Sequence, residues 1–256
     1  MDRPVNRLKR ALADGQPQIG LHLRIPSSYA AEAVAGAGFD WMLIDTEHTP
    51  TDDATVLAQL QALAAYPVSV GVHLPWNDMV VTKRMLDAGA QTIAIPHVST
   101  AEEAERAVSF TRFAPKGKRG FANVTRASRF GRVDDYFTGS DAELCVIAMI
   151  ETEAGLRNLP AICAVDGIDA VLIGPGDLRA SLGYPPGAGG AEFDRMMENA
   201  IREARARGCA AGVVEPNEAA AKRWMDCGAL LMIVGADLRL LTKGADELRA
   251  RFASLS

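Results

Sequence analysis

Little in this chain would tie it to a membrane, a nucleic acid or an oxidising compartment. No apolar run approaches the ~18 residues needed to cross a bilayer, and the basic start, Met1 to Arg10, is not followed by the apolar stretch of an export signal. Neither membrane insertion nor export is expected. The 27 Lys and Arg are outnumbered by 32 Asp and Glu, for a net charge of -5, so there is no basic excess to attract nucleic acid or an anionic membrane. The cysteines are few, only Cys145, Cys163, Cys209 and Cys227. They have no CxxC spacing and sit inside apolar periodic stretches, which reads as reduced core thiols in a cytoplasmic protein rather than disulfide or zinc ligands. No linker, low-complexity tract or second domain interrupts residues 1–256. The partner these absences leave is a small molecule.

A weak internal echo supplies the architecture. Gly38, Gly89, Gly167 and Gly228 each precede a run of mostly apolar residues, ending respectively in Ile44-Asp45, Ile95-Pro96, Ile173-Gly174 and Val234-Gly235. A glycine there suits the left-handed turn that ends a helix, and a short apolar run suits a strand covered on both faces. Four more candidate strands lie between them, Gln18 to Leu23, Val68 to Leu74, Leu144 to Ile150 and Ala210 to Val214, with helical periodicity in segments such as Met79 to Leu86 and Glu192 to Arg207. Eight strands alternating with about eight helices predict a single (β/α)8 TIM barrel, which routinely reaches about 250 residues as one domain; a doubly wound open sheet is the alternative. The one long stretch without periodicity, Pro115 to Asp141, is expected to be functional or part of an assembly surface.

In such a barrel the chemistry sits at the C-terminal ends of the strands, where this sequence places His22, Asp45, Glu47, His48, His73, His97, Glu151 and Asp177. Glu151 and Asp177 offer only oxygen, which suits a hard divalent cation completed by water and a chelating substrate. The plainer reading is that both cap the helices that follow. Gly174-Pro175-Gly176-Asp177 also brings backbone N–H groups to a possible helix start, a cradle for a carboxylate. Asp45, His48 and Asp87 could form a carboxylate-oriented imidazole base, against ordinary turn and helix-end polarity for the two aspartates.

These stretches together resemble the HpcH/HpaI class II aldolases, of the 4-hydroxy-2-oxo-heptane-1,7-dioate aldolase type. The likeness is carried by Ala35-Gly36-Ala37-Gly38-Phe39-Asp40-Trp41, Ile44-Asp45-Thr46-Glu47-His48, Trp76-Asn77-Asp78, Leu86-Asp87, Arg126-Ala127-Ser128-Arg129, Ile150-Glu151-Thr152 and Ile173-Gly174-Pro175-Gly176-Asp177-Leu178. The resemblance implies a lyase that reversibly cleaves a 4-hydroxy-2-oxoacid to pyruvate and an aldehyde through a metal-stabilised enolate. It implies that Glu151 and Asp177 hold Mg²⁺, Mn²⁺ or Co²⁺, that Glu47 orders metal-bound water, and that backbone N–H groups near Gly176 and Asp177 hold the pyruvate carboxylate. His48, supported by Asp45 and Asp87, would be the acid/base group. The resemblance also implies a homohexamer, a trimer of dimers with the last helix exchanged between neighbours, to which Leu238, Leu240, Leu241, Leu248 and Phe252 are suited.

Four positions depart from the family pattern. His73 stands where an arginine is expected to contact the pyruvate keto oxygen, Met149 where a glutamine is common, His22 where a tryptophan is common, and His97 where an apolar residue is common. Two other readings stay open: a related lyase or decarboxylase acting on another pyruvate-like acid, and a metabolite-binding barrel without catalysis.

Overall fold

Each echo glycine takes up the left-handed turn expected of it, with φ of 90° at Gly38, 102° at Gly89, 101° at Gly167 and 106° at Gly228. The strands that bracket these turns are β1 (Gln18–Leu23), β2 (Trp41–Asp45), β3 (Ser69–His73), β4 (Thr92–Ile95), β5 (Cys145–Ile150), β6 (Ala170–Ile173), β7 (Ala210–Val214) and β8 (Leu231–Ala236). In the computed structural model, which describes residues 1–185 and 189–253, all eight pair in parallel with their sequence neighbours. β8 returns to β1 and closes the ring. The fold is therefore the expected TIM barrel and not an open sheet.

The helices are α1 (Arg7–Ala13), α2 (Ser28–Ala35), α3 (Asp53–Leu63), α4 (Met79–Asp87), α5 (Ala101–Thr111), α6 (Tyr136–Gly139), α7 (Glu153–Arg157), α8 (Leu159–Cys163), α9 (Pro175–Ser181), α10 (Gly190–Ala206), α11 (Glu218–Asp226) and α12 (Asp237–Arg251). Side-chain alternation divides the apolar residues into two layers. One packs between sheet and helices; the other fills the barrel interior with Trp41, Leu43, Ala94, Ile147, Met149, Leu172 and Ile233, closed at its N-terminal end by Leu8 and Leu12 of α1. Trp41 needs room: a Cβ at Gly20 would stand 2.2 Å from its Nε1, which instead donates to Met232 O at 3.1 Å. Cys145, Cys163 and Cys209 are buried and Cys227 is half-buried, all four unbridged.

The 115–141 stretch is a chain of turns knotted around Ser128, whose Oγ donates to Asn123 O and accepts from the N–H of Thr125 and Gly131. Arg126 ties it to the C-terminal ends of α3 and α4 through Leu60 O and Ala88 O. That places it at the N-terminal face, away from the strand ends that carry the chemistry. A cavity of about 690 Å³ opens on this face between the N-terminal arm and residues 126–132, and none of the expected site residues lines it. No helix among the described residues is long and apolar enough to cross a membrane.

Candidate functional site

Alternation continues past the strand ends and decides which polar residues enter the barrel mouth. His22 follows Gly20 on the inward face of β1, Asp45 follows Leu43 on β2, and Glu151 follows Met149 on β5. Asp45 is fully buried; its Oδ1 accepts the backbone N–H of Glu47 and of His48, each at 3.0 Å, and so folds the turn that presents these two side chains. Glu47 is the hub. Its Oε2 lies 2.9 Å from His73 Nε2 and 3.1 Å from His48 Nε2, and its Oε1 lies 3.8 Å from His97 Nε2.

His97 links this cluster to the next. Its backbone stands at φ 52°, a strained conformation for a residue with a Cβ, and its N–H is thereby aimed at Glu151 Oε2 at 2.9 Å. On the other side, Glu151 packs against Gly174, where a Cβ would come within 3.1 Å of Oε1. Neither metal-candidate carboxylate serves as a helix cap. Thr152 caps α7 by accepting from Gly155 N, and Gly174 occupies the cap position of α9, leaving Asp177 exposed in its first turn. Among the described residues, the N–H groups of Gly176 and Asp177 have no acceptor within the chain, and a Cβ at Gly176 would meet nothing within 4 Å. The turn is open as a carboxylate cradle would have to be.

Burial pushes the Glu151 carboxyl up, and the His97 N–H only partly opposes it. For Asp45, burial also pushes up, but the His48 N–H, the two buried imidazoles and Arg24 outweigh it and hold the carboxyl below its ordinary value. Glu47 is likewise held low, as hydrogen bonding and charge from His73 and its neighbours overcome burial. His22 is pushed down to about 3 by burial and then by Arg24 and His73, so it is neutral at pH 7.

Two expectations need correction. Asp45 receives the backbone N–H of His48 rather than its ring, so its part is to shape the turn. Asp87 is not in this mouth at all: it closes α4 at the opposite face and pairs with the buried Arg119 at 2.9 Å, within one chain far from His48. The structure also adds a residue that sequence reasoning missed. Arg24, two positions after His22 and so on the same face, brings Nε to 3.1 Å from Asp45 Oδ2. Its parity with His22 was the available signal. The position expected to carry arginine holds His73, which is buried, stacked on His22 with ring centroids 6.3 Å apart, and 3.7 Å from Asp45 Oδ1. Among the described residues, no three or more His, Cys, Asp or Glu side chains are arranged to hold a metal, so the histidines do not form a zinc-type cluster.

Comparison with known proteins shows the family of the chain. The HpcH/HpaI aldolase/citrate lyase family matches residues 18–244. This chain belongs to that family. A 4-hydroxy-2-oxo-heptane-1,7-dioate aldolase from Salmonella dublin is 49% identical over 250 residues, 97% of this chain and 95% of that protein. The crystal structure of an HpcH/HpaI aldolase/citrate lyase family protein from Burkholderia cenocepacia J2315 superimposes with a TM-score of 0.92 at 36% identity, covering 97% of this chain and 100% of that one. The citrate synthase SbnG is similar at 26% identity, with a TM-score of 0.86 and coverage of 96% and 97%.

Proposed function

We propose that this chain is a divalent-metal-dependent pyruvate aldolase, a carbon–carbon lyase that cleaves a 4-hydroxy-2-oxoacid reversibly to pyruvate and an aldehyde. The observation that carries the reading is the arrangement around Glu151. A carboxylate 3% exposed packs against Gly174, ahead of a turn with two free N–H groups and the exposed carboxylate of Asp177; among the described residues no Lys or Arg pairs with it, and the one imidazole beside it is His97, Nδ1 3.6 Å from Oε2. A buried carboxylate without a cation is costly, and an all-oxygen donor set fits Mg²⁺ or Mn²⁺ better than zinc. Glu151 and Asp177 would hold that ion. When bound there, a divalent cation stabilises negative charge developing on a keto oxygen.

The rest falls to side chains of this chain. The free N–H groups of Gly176 and Asp177 orient the pyruvate carboxylate. His48 is half-exposed at the mouth, and with Nε2 turned to Glu47 its Nδ1 is the atom free to take and return a proton. Glu47 fixes that imidazole and positions water beside it. Leu238, Leu240, Leu241, Leu248 and Phe252 lie uncovered on or beside α12, and we read them as the contact by which this helix packs onto a neighbour in a hexamer.

Mixing purified protein and Mn²⁺ with pyruvate and a panel of aldehydes, with and without chelator, tests the reading: metal-dependent adducts are expected. The likeness to a citrate synthase at 26% identity favours a second reading, the same enolate chemistry with a different partner. Metal-dependent exchange of pyruvate methyl protons without any aldehyde adduct would select it.

A further inference from the structure

We propose that the cavity on the N-terminal face of the barrel binds a small organic anion, an apolar body carrying one carboxylate or phosphate, at a site separate from the mouth. The cavity holds about 690 Å³, within the range of small-molecule sites. Five arginines line it, Arg3, Arg7, Arg126, Arg129 and Arg132, against one carboxylate, Glu143. That carboxylate is already engaged, by the Asn6 N–H at 2.7 Å and by Arg10 at 2.8 Å. In a chain whose net charge is -5 this gathering of guanidinium groups reverses the local sign, and it sets a positive potential inside a recess.

Most of these groups have no anion of their own. Arg3 pairs with Asp135 at 3.0 Å. Arg126 is half-buried, yet it donates only to the carbonyls of Ala88 and Leu60, and burial pulls its pKa down. Arg132 reaches only the carbonyl of Arg129, and the side chains of Arg7 and Arg129 have no hydrogen-bond or ion-pair partner among the described residues. The backbone presents Arg129 and Phe130 at a cost, since with Gly131 they make three consecutive left-handed residues, at φ 51°, 57° and 80°. The strain is imposed by the Phe130 N–H bonded to Thr125 O at 2.7 Å and by the Gly131 N–H bonded to the Ser128 hydroxyl. On the cavity wall the buried Ser140 hydroxyl also lacks a hydrogen-bond partner. Leu63, Val68, Val70 and Phe130 supply an apolar side. Guanidinium groups grip carboxylate or phosphate oxygens in pairs, and the apolar side receives the rest of the molecule.

The test is calorimetric titration of the protein with phenyl phosphate, benzoate, inorganic phosphate and benzyl alcohol, with Mg²⁺ and pyruvate in excess to occupy the mouth. One ring-bearing anion per chain is expected to bind, and inorganic phosphate and benzyl alcohol, each lacking one half of the recognised group, should bind at least about tenfold more weakly. Whichever of phenyl phosphate and benzoate binds tighter names the head group. Arg7→Gln and Arg129→Gln remove exposed side chains that hold nothing else, so both variants should fold as the wild type does by circular dichroism. Each should weaken the ring-bearing anion by about tenfold, the worth of one charge-assisted contact. No binding of either ring-bearing anion, equal affinity for inorganic phosphate or benzyl alcohol, or affinities unchanged in both variants overturns the proposal. The two variants locate the binding whether or not pyruvate fills the mouth, so failure of the aldolase reading leaves this test intact.

Discussion

On the β5 and β6 side of the mouth the polar groups are two carboxylates, a glycine turn and unpaired backbone N–H groups, with one imidazole touching Glu151. On the β1 to β3 side, three imidazoles and a guanidinium crowd around two carboxylates, and His97 of the β4 loop bridges the halves. The first side keeps the pattern the family resemblance implies except at Met149, while of the other departures His22 and His73 belong to the second side and His97 to the bridge between them. The difference separates two tasks. Holding an ion and a 2-oxoacid head demands particular atoms and tolerates little change; receiving a variable aldehyde admits a different set of side chains on the same scaffold.

The sharpest way to break this division is to attack the β5 and β6 side. Glu151→Gln and Asp177→Asn should each lower metal-dependent retro-aldol turnover by about 10³-fold or more, since a site with two protein ligands cannot spare one. Circular dichroism should show the barrel intact. Turnover near wild type in either variant would remove the ion from this side. Next in size, His48→Asn should slow turnover by about 10²-fold or more while Mn²⁺ affinity, read by calorimetry, changes little. A large loss of metal with an unchanged rate would make His48 a ligand.

Smaller effects probe the rebuilt half. Restoring arginine at position 73 should not help: the side chain is buried between His22 and Glu47, and the larger group should cost about 1 to 3 kcal/mol by overpacking, measured by urea denaturation. Higher activity at unchanged stability would show that a fixed positive charge belongs at the end of β3. His22 gives the smallest test. Because its folded pKa, about 3, is below the ordinary 6.5, its contribution is present above pH 6.5 and is lost as pH falls toward 3. Relative to His22→Phe, the wild type should therefore lose about 2 kcal/mol between pH 7 and pH 5. Parallel pH curves for the two proteins would mean that this imidazole is not held neutral.

The barrel was legible because its punctuation is local. A glycine in a left-handed turn and a short apolar run after it are written in consecutive residues, and the strand boundaries at Gln18–Leu23 and Ala210–Val214 coincide with the expected ones. The strand-end carboxylates were legible for the same reason. What escaped depends on geometry between elements. Asp87 near the end of a helix does not announce which face of the barrel it reaches; helices run back against the strands, which carries it away from His48. Arg24 just past a strand looks like a solvated loop arginine until alternation from His22 turns it inward. The positive φ that aims the His97 N–H at Glu151 has no mark in the sequence.

Activation of a 2-oxoacid at this mouth by an ion held by Glu151 and Asp177 is the step on which the proposed function stands. Its most direct test follows the methyl protons of pyruvate by NMR in D₂O with wild-type protein and Mg²⁺ or Mn²⁺, then with chelator, then with Glu151→Gln. Exchange that requires the ion and disappears in the variant is the expected result. Exchange that persists in chelator or in Glu151→Gln, or its complete absence in the metal-loaded wild type, would contradict the account.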